Sequence, residues 1–141
     1  MHMIKIDYEI IRQHILKWMG IRPSVFVDVD QTLMTFGPDG LIPIQETVEV
    51  IKKIKQEFGD KVDVIIYTTG GKAYADEAVE ICGLKDFVDY TMTKPIIVID
   101  DFLYEGCLAA LYVSPYNEVV EDKTLRMQRA ELKKLDSKNI F

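Results

Sequence analysis

The stretch Val25-Phe-Val-Asp-Val-Asp-Gln-Thr-Leu33 decides the fold. Val25, Phe26, Val27 and Val29 are β-branched or aromatic, so the run reads as a buried strand. A buried parallel strand is apolar throughout. This one ends in two carboxylates, Asp28 and Asp30, with a hydroxyl at Thr32. Carboxylates in such a place cost free energy unless a cation or ligand compensates. In open α/β sheets, ligands bind beyond the carboxyl ends of the strands, so the cost falls where a site is expected.

Upstream, Tyr8 to Met19 reads as a helix, with Tyr8, Ile11, Ile15, Trp18 and Met19 on one stripe and Gly20 as the stop. Downstream, Pro38-Asp39-Gly40 is a turn between apolar flanks and predicts a hairpin or flap over Met34 to Pro43. Gln45 to Phe58 predicts a helix with Val48, Ile51, Ile54 and Phe58 inward and Lys52, Lys53 and Lys55 on its solvated side. Val62 to Tyr67 is a second buried strand, and Thr68-Thr69-Gly70-Gly71 leads from it into a helix with Ala75, Ala78, Val79 and Cys82 inward. A hydroxyl- and glycine-rich turn feeding a helix N-terminus suits an anion, because free N–H groups and the helix dipole point at it.

Phe87 to Tyr90 predicts a short third strand. Ile96 to Ile99 predicts a fourth, ending in Asp100-Asp101, and Leu108 to Val113 a fifth, closed by Ser114-Pro115. Val120 to Leu135 reads as a charged final helix, and Ser137 to Phe141 as a frayed tail. Strands alternating with helices predict an α/β fold, a doubly wound Rossmann-like domain with a mostly parallel sheet. At 141 residues one domain is expected, spanning 1–141.

Grouped carboxylates with no neighbouring His or Cys suit a hard cation, Mg²⁺, bound with substrate phosphate. A hydroxyl, turn amides and one lysine suit a phosphoryl group. These residues resemble, in order, the four motifs of the haloacid dehalogenase (HAD) superfamily of phosphohydrolases. Asp28-Val-Asp30-Gln-Thr32-Leu33 is similar to the first motif, Thr68 to the second, Lys94 to the third, and Ile97-Val-Ile-Asp100-Asp101 to the fourth. Glu105 stands four residues after Asp101, a spacing many members share.

The resemblance implies a three-layer HAD-like domain and a phosphatase acting through an aspartyl-phosphate. Asp28 would be the nucleophile and Asp30 the general acid/base. Thr68, Thr69 and Lys94 would bind phosphate, with Thr32 and Glu105 in support. Asp28, Asp30 through its main-chain carbonyl, Asp101 and Asp100 would hold Mg²⁺, with Asp101 favoured over Asp100 as the direct ligand. Gln31 stands where the family commonly has glycine. Neither Met34 to Asp60 nor Gly70 to Thr93 has room for a cap domain, so the resemblance is to a capless member.

Two other classes fit less well. A receiver domain needs its phosphoacceptor Asp after the acidic pair, whereas Asp100-Asp101 comes late and the strand through Tyr67 ends in Thr68. A catalytically silent phosphoester- or partner-binding relative would lack the nucleophile or the acid, and both are present.

Composition bounds the partners. A net charge of −6 argues against a broad nucleic-acid face and leaves a small phosphorylated substrate as the expected ligand. No run is long and apolar enough to span a bilayer, and no signal-peptide pattern opens the chain. Cys82 and Cys107 lack metal spacing, and with Cys82 on an apolar helix face a reducing cytoplasm is expected. An open, capless site suits a bulky substrate, or a lid lent by a second copy in a homo-oligomer through Met34, Phe36 and Leu41 on the flap and through the terminal helices. The same flap residues equally fit ordinary hairpin packing.

Overall fold

The computed structural model describes residues 5–99 and 111–122. Helix α1 spans Tyr8–Lys17 and is capped by the Asp7 side chain, which accepts from the Glu9 N–H at 3.0 Å. Strand β1 covers Ser24–Asp28, β2 Met34–Gly37 and β3 Gly40–Pro43. Helix α2 covers Gln45–Phe58, β4 Asp63–Thr68, α3 Lys72–Ile81 and β5 Tyr90–Thr93. A closing hairpin pairs β6, Leu111–Ser114, with β7, Asn117–Asp122.

The fold is α/β, built on a parallel sheet in the order β1-β4-β5. Parallel pairing sets Val25 beside Val64 and Val27 beside Ile66 on one face. Those residues join Ile11 and Ile15 of α1, Val48, Ile51 and Ile54 of α2, and Ala75, Ala78 and Val79 of α3 in one core cluster. The helical stripes read from the sequence are therefore the faces that cover the sheet. The other face carries Phe26, 47% exposed, edge-on to Tyr67 at 5.2 Å, and Tyr90, 59% exposed.

The flap between β1 and α2 is an antiparallel hairpin, as its Pro-Asp-Gly turn predicts, with Gly37 opposite Gly40. Gly40 has φ +124°, in the region that favours glycine.

Several expectations need correction. The third strand begins three residues later than predicted. Over Phe87 to Asp89 the ladder is replaced by Asp89, whose carboxylate accepts from the Val64 N–H at 2.7 Å and whose own N–H donates to the Val64 carbonyl. Lys55 is not a solvated lysine. Its ammonium donates to Asp89 and to the Val62 carbonyl at 2.9 Å, tying α2 to that loop.

Ile96 to Ile99 is not a strand, and these residues stand 64% to 95% exposed. A strand exists only against a partner, and no described strand lies on the outer edge of β1. The Lys94 N–H is already spent on the Thr68 carbonyl, and Pro95 has none to offer.

Of the predicted fifth strand, Leu111 to Val113 lies in β6, which among the described strands pairs with β7 and not with the parallel sheet, and residues 108–110 lie outside the described residues. Val120 to Asp122, read as the start of the final helix, belongs to β7. The rest of that helix and the tail lie outside the described residues.

The contrast between the second strand and the Ile96 run is measurable. Ile66→Ala removes a fully buried side chain from the central strand and should cost about 2–5 kcal/mol. Ile96→Ala should change stability by no more than about 0.5 kcal/mol. Urea unfolding followed by circular dichroism distinguishes the two.

Candidate functional site

Strand β1 delivers Asp28 to the carboxyl end of the sheet, where it lies opposite Tyr67 in the register. The chain then turns sharply. The N–H groups of Thr32, Leu33 and Met34 all donate to the Val29 carbonyl, and the Gln31 N–H donates to the Met34 carbonyl at 2.8 Å. This turn puts Gln31 at φ +61°, a left-handed conformation that costs a side-chain-bearing residue and explains why glycine suits the position. The bridge between Asp30 and Met34 draws on the carbonyls of Val29 and Met34, not on that of Asp30.

Two other sequence-predicted residues meet Asp28. The Lys94 ammonium lies 3.1 Å from Oδ1, and the Thr32 hydroxyl approaches Oδ2 at 3.4 Å. Lys94 is held there twice over. Its N–H donates to the Thr68 carbonyl at 2.9 Å, and its ammonium sits 4.7 Å from the Tyr67 ring centre. Both Asp28 and Lys94 keep about a third of their side-chain surface in solvent, so the pair is open to a ligand.

Thr68, at the end of the neighbouring strand, is buried. Its hydroxyl oxygen accepts from the Gly70 N–H at 3.0 Å, which leaves the hydroxyl proton free to donate. Thr69 lies exposed in the same turn. Gly71, at φ +99°, opens α3 without any side-chain cap. The first-turn amides of α3 are thus left without a side-chain partner beside Thr68, as the anion reading requires.

Asp30 is exposed, and among the described residues no hydrogen bond joins its side chain to Lys94 or Thr68. Its partner is Tyr74, whose hydroxyl donates to Oδ1 at 2.6 Å. The bond to Asp30 and burial push the Tyr74 phenol up to about 12, with the charges of Asp30, Glu77 and Asp28 adding to the shift.

Sequence reasoning missed Tyr74. The one available signal was an aromatic in the first turn of α3, off its Ala75, Ala78, Val79 stripe. Gln31 was noted only as a departure, yet it accepts from Thr35 and from Tyr116 in the β6–β7 turn, each at 3.2 Å.

Asp100, Asp101, Glu105 and Cys107 lie outside the described residues. Among the described residues no three His, Cys, Asp or Glu side chains gather as a metal centre. Cys82 is a core thiol that burial pushes up to about 11. A shallow groove between α3 and β5 is also acidic, but Asp76 there is engaged by Lys72, and Asp89 by Lys55. No helix among the described residues is long and apolar enough to cross a membrane.

Compared with family models, with curated proteins and with solved structures, the chain finds no match.

Two outcomes check this geometry. Gln31→Gly should stabilise the protein by about 1 kcal/mol in denaturant unfolding, because the strain of φ +61° outweighs two exposed hydrogen bonds. Tyr74 should ionise near 12 in a ring-labelled NMR titration, and Asp30→Asn should move it back toward 10. Its folded value is raised, so the stability this bond adds is full below pH 10 and is lost as pH rises through about 12.

Proposed function

We propose that this chain is a magnesium-dependent phosphomonoester phosphatase of the HAD-like class, capless and acting through an aspartyl-phosphate. The observation that carries the reading is Asp28. Its carboxylate stands at the end of a parallel strand with Lys94 on one oxygen, Thr32 near the other, and the Thr68 turn on the adjacent strand. Residues from three separated motifs thus gather at one point, in the order the resemblance calls for.

In the first step an oxygen of Asp28 attacks phosphorus, and the ester P–O bond breaks. Asp30 gives its proton to the departing oxygen. Lys94, the Thr68 hydroxyl and the amides opening α3 neutralise the transferring oxygens. In the second step Asp30 takes a proton from water, which attacks phosphorus and returns Asp28 as a free carboxylate with release of inorganic phosphate.

The donor set fits a hard cation, since Asp28 and Asp30 offer only oxygen and no His or Cys stands beside them. The Asp28 carboxylate and the Asp30 main-chain carbonyl would hold Mg²⁺, with Asp101 and Asp100 completing the set that the motif resemblance implies. When bound, the ion offsets negative charge on the phosphoryl group.

A small phosphorylated substrate in a reducing, cytoplasmic setting agrees with the net charge and the buried thiol. A homo-oligomer could supply the missing lid. The three-layer, doubly wound completion of the sheet belongs to the same reading.

The test is phosphate release from a panel of phosphoesters, with Mg²⁺ and with chelator. The wild-type protein should release phosphate only with Mg²⁺, and Asp28→Asn should lose at least about 10³-fold in kcat. Undiminished turnover by folded Asp28→Asn, or no release from any ester, overturns the reading.

A further inference from the structure

An exposed carboxylate on a two-torsion side chain has several rotamers open to it, and a group that must exchange a proton with a reacting oxygen needs one. Asp30 is such a group, and the structure supplies a restraint from 44 residues away in the chain. The Tyr74 hydroxyl meets Oδ1 at 2.6 Å.

The restraint is anchored at both ends. Tyr74 is followed by Ala75, which is fully buried in the core, so the backbone that carries the ring is tied to the sheet. The ring itself lies against Gly70. A Cβ at position 70 would come within 2.7 Å of it, closer than such contacts allow. Glycine at 70 is therefore what lets the Tyr74 ring lie where its hydroxyl reaches Asp30.

The same turn presents the Thr68 hydroxyl. One backbone segment thus sets both the phosphate-binding group and the acid/base carboxylate.

We infer that Tyr74 is a positioning residue for Asp30, occupying Oδ1 so that Oδ2 is the oxygen that gives and takes the catalytic proton. The inference rests on the phosphatase reading and deepens it. The phenol stays protonated at neutral pH, so it donates to Oδ1 through both half-reactions and takes no proton itself. The atoms balance as before, with the proton leaving Oδ2 for the ester oxygen and returning to Oδ2 from water.

The test is a double-mutant cycle on Mg²⁺-dependent phosphate release, with the best ester from the panel. Tyr74→Phe keeps the ring and loses the hydroxyl. It should lower kcat roughly tenfold with KM within about twofold, inside the range that acid–base catalysis contributes. In an Asp30→Ala background, Tyr74→Phe should leave the residual rate unchanged, because the residue it acts through is gone. A merely structural role would lower both rates.

Gly70→Ala, which pushes the ring aside, should reproduce the loss of kcat. Tyr90→Phe, at the start of β5 and away from the strand ends that carry Asp28 and Thr68, should not. Wild-type kcat in folded Tyr74→Phe, or an equal loss with and without Asp30, overturns the role of Tyr74 while leaving the phosphatase reading standing. Failure of the wild-type protein to release phosphate removes the phosphatase reading, and this one with it.

Discussion

Parallel pairing of β1 with β4 is the constraint on which the rest depends. It places Val25 and Val27 beside Val64 and Ile66, and so creates the apolar face that α1, α2 and α3 cover. It also brings both strands to an end at the same level. Asp28 then stands opposite Tyr67, and Thr68 stands one residue further along. Because β5 pairs with β4 in register through Thr93, Lys94 emerges beside Thr68, close enough to reach Asp28. A slip of one residue in either ladder would turn every side chain to the opposite face and separate the carboxylate from its cation.

Charge at the site is arranged around that geometry. Asp28 has a partner on each oxygen, and Asp30 has one from α3. These contacts compensate the two carboxylates without removing them from water. That is the condition for a group that stays accessible to a ligand. Lys94 sits between an aromatic face and a carboxylate, so its ammonium is confined while one side stays open.

Much of this was legible in the residues. The stripes of α1, α2 and α3 read true because their apolar period is one that only a helix satisfies. Helix α2 matches its predicted bounds, Gln45–Phe58, whereas α1 ends at Lys17, short of the predicted Met19, and the predicted final helix opens in β7. The Pro38-Asp39-Gly40 turn read true because Gly40 needs a backbone that few other residues adopt. Gathering of Asp28, Thr32 and Lys94 followed from strand ends and motif order.

The failures are of another kind. Ile96 to Ile99 has strand composition, but composition does not supply a neighbour to pair with. The start of β5 depended on Asp89 capping Val64, a contact with no periodic signature. Tyr74 was invisible because its role is defined by a residue 44 positions away. Lys55 looked like any other lysine on a polar helix face until Asp89 was found beneath it.

The exposed run from Ile96 to Ile99 governs how molecules behave toward one another. Four β-branched side chains in succession, outside every described strand and largely exposed, form a template onto which another chain can add as a strand. Two things oppose such growth. Pro95 interrupts the donor row at one end of the segment, and the net charge of −6 holds like molecules apart. The first barrier is indifferent to salt, whereas the second is screened within about 10 Å at 0.1 M ionic strength. Colloidal solubility, rather than folding free energy, is the property this segment controls, and ionic strength is the variable to which it answers.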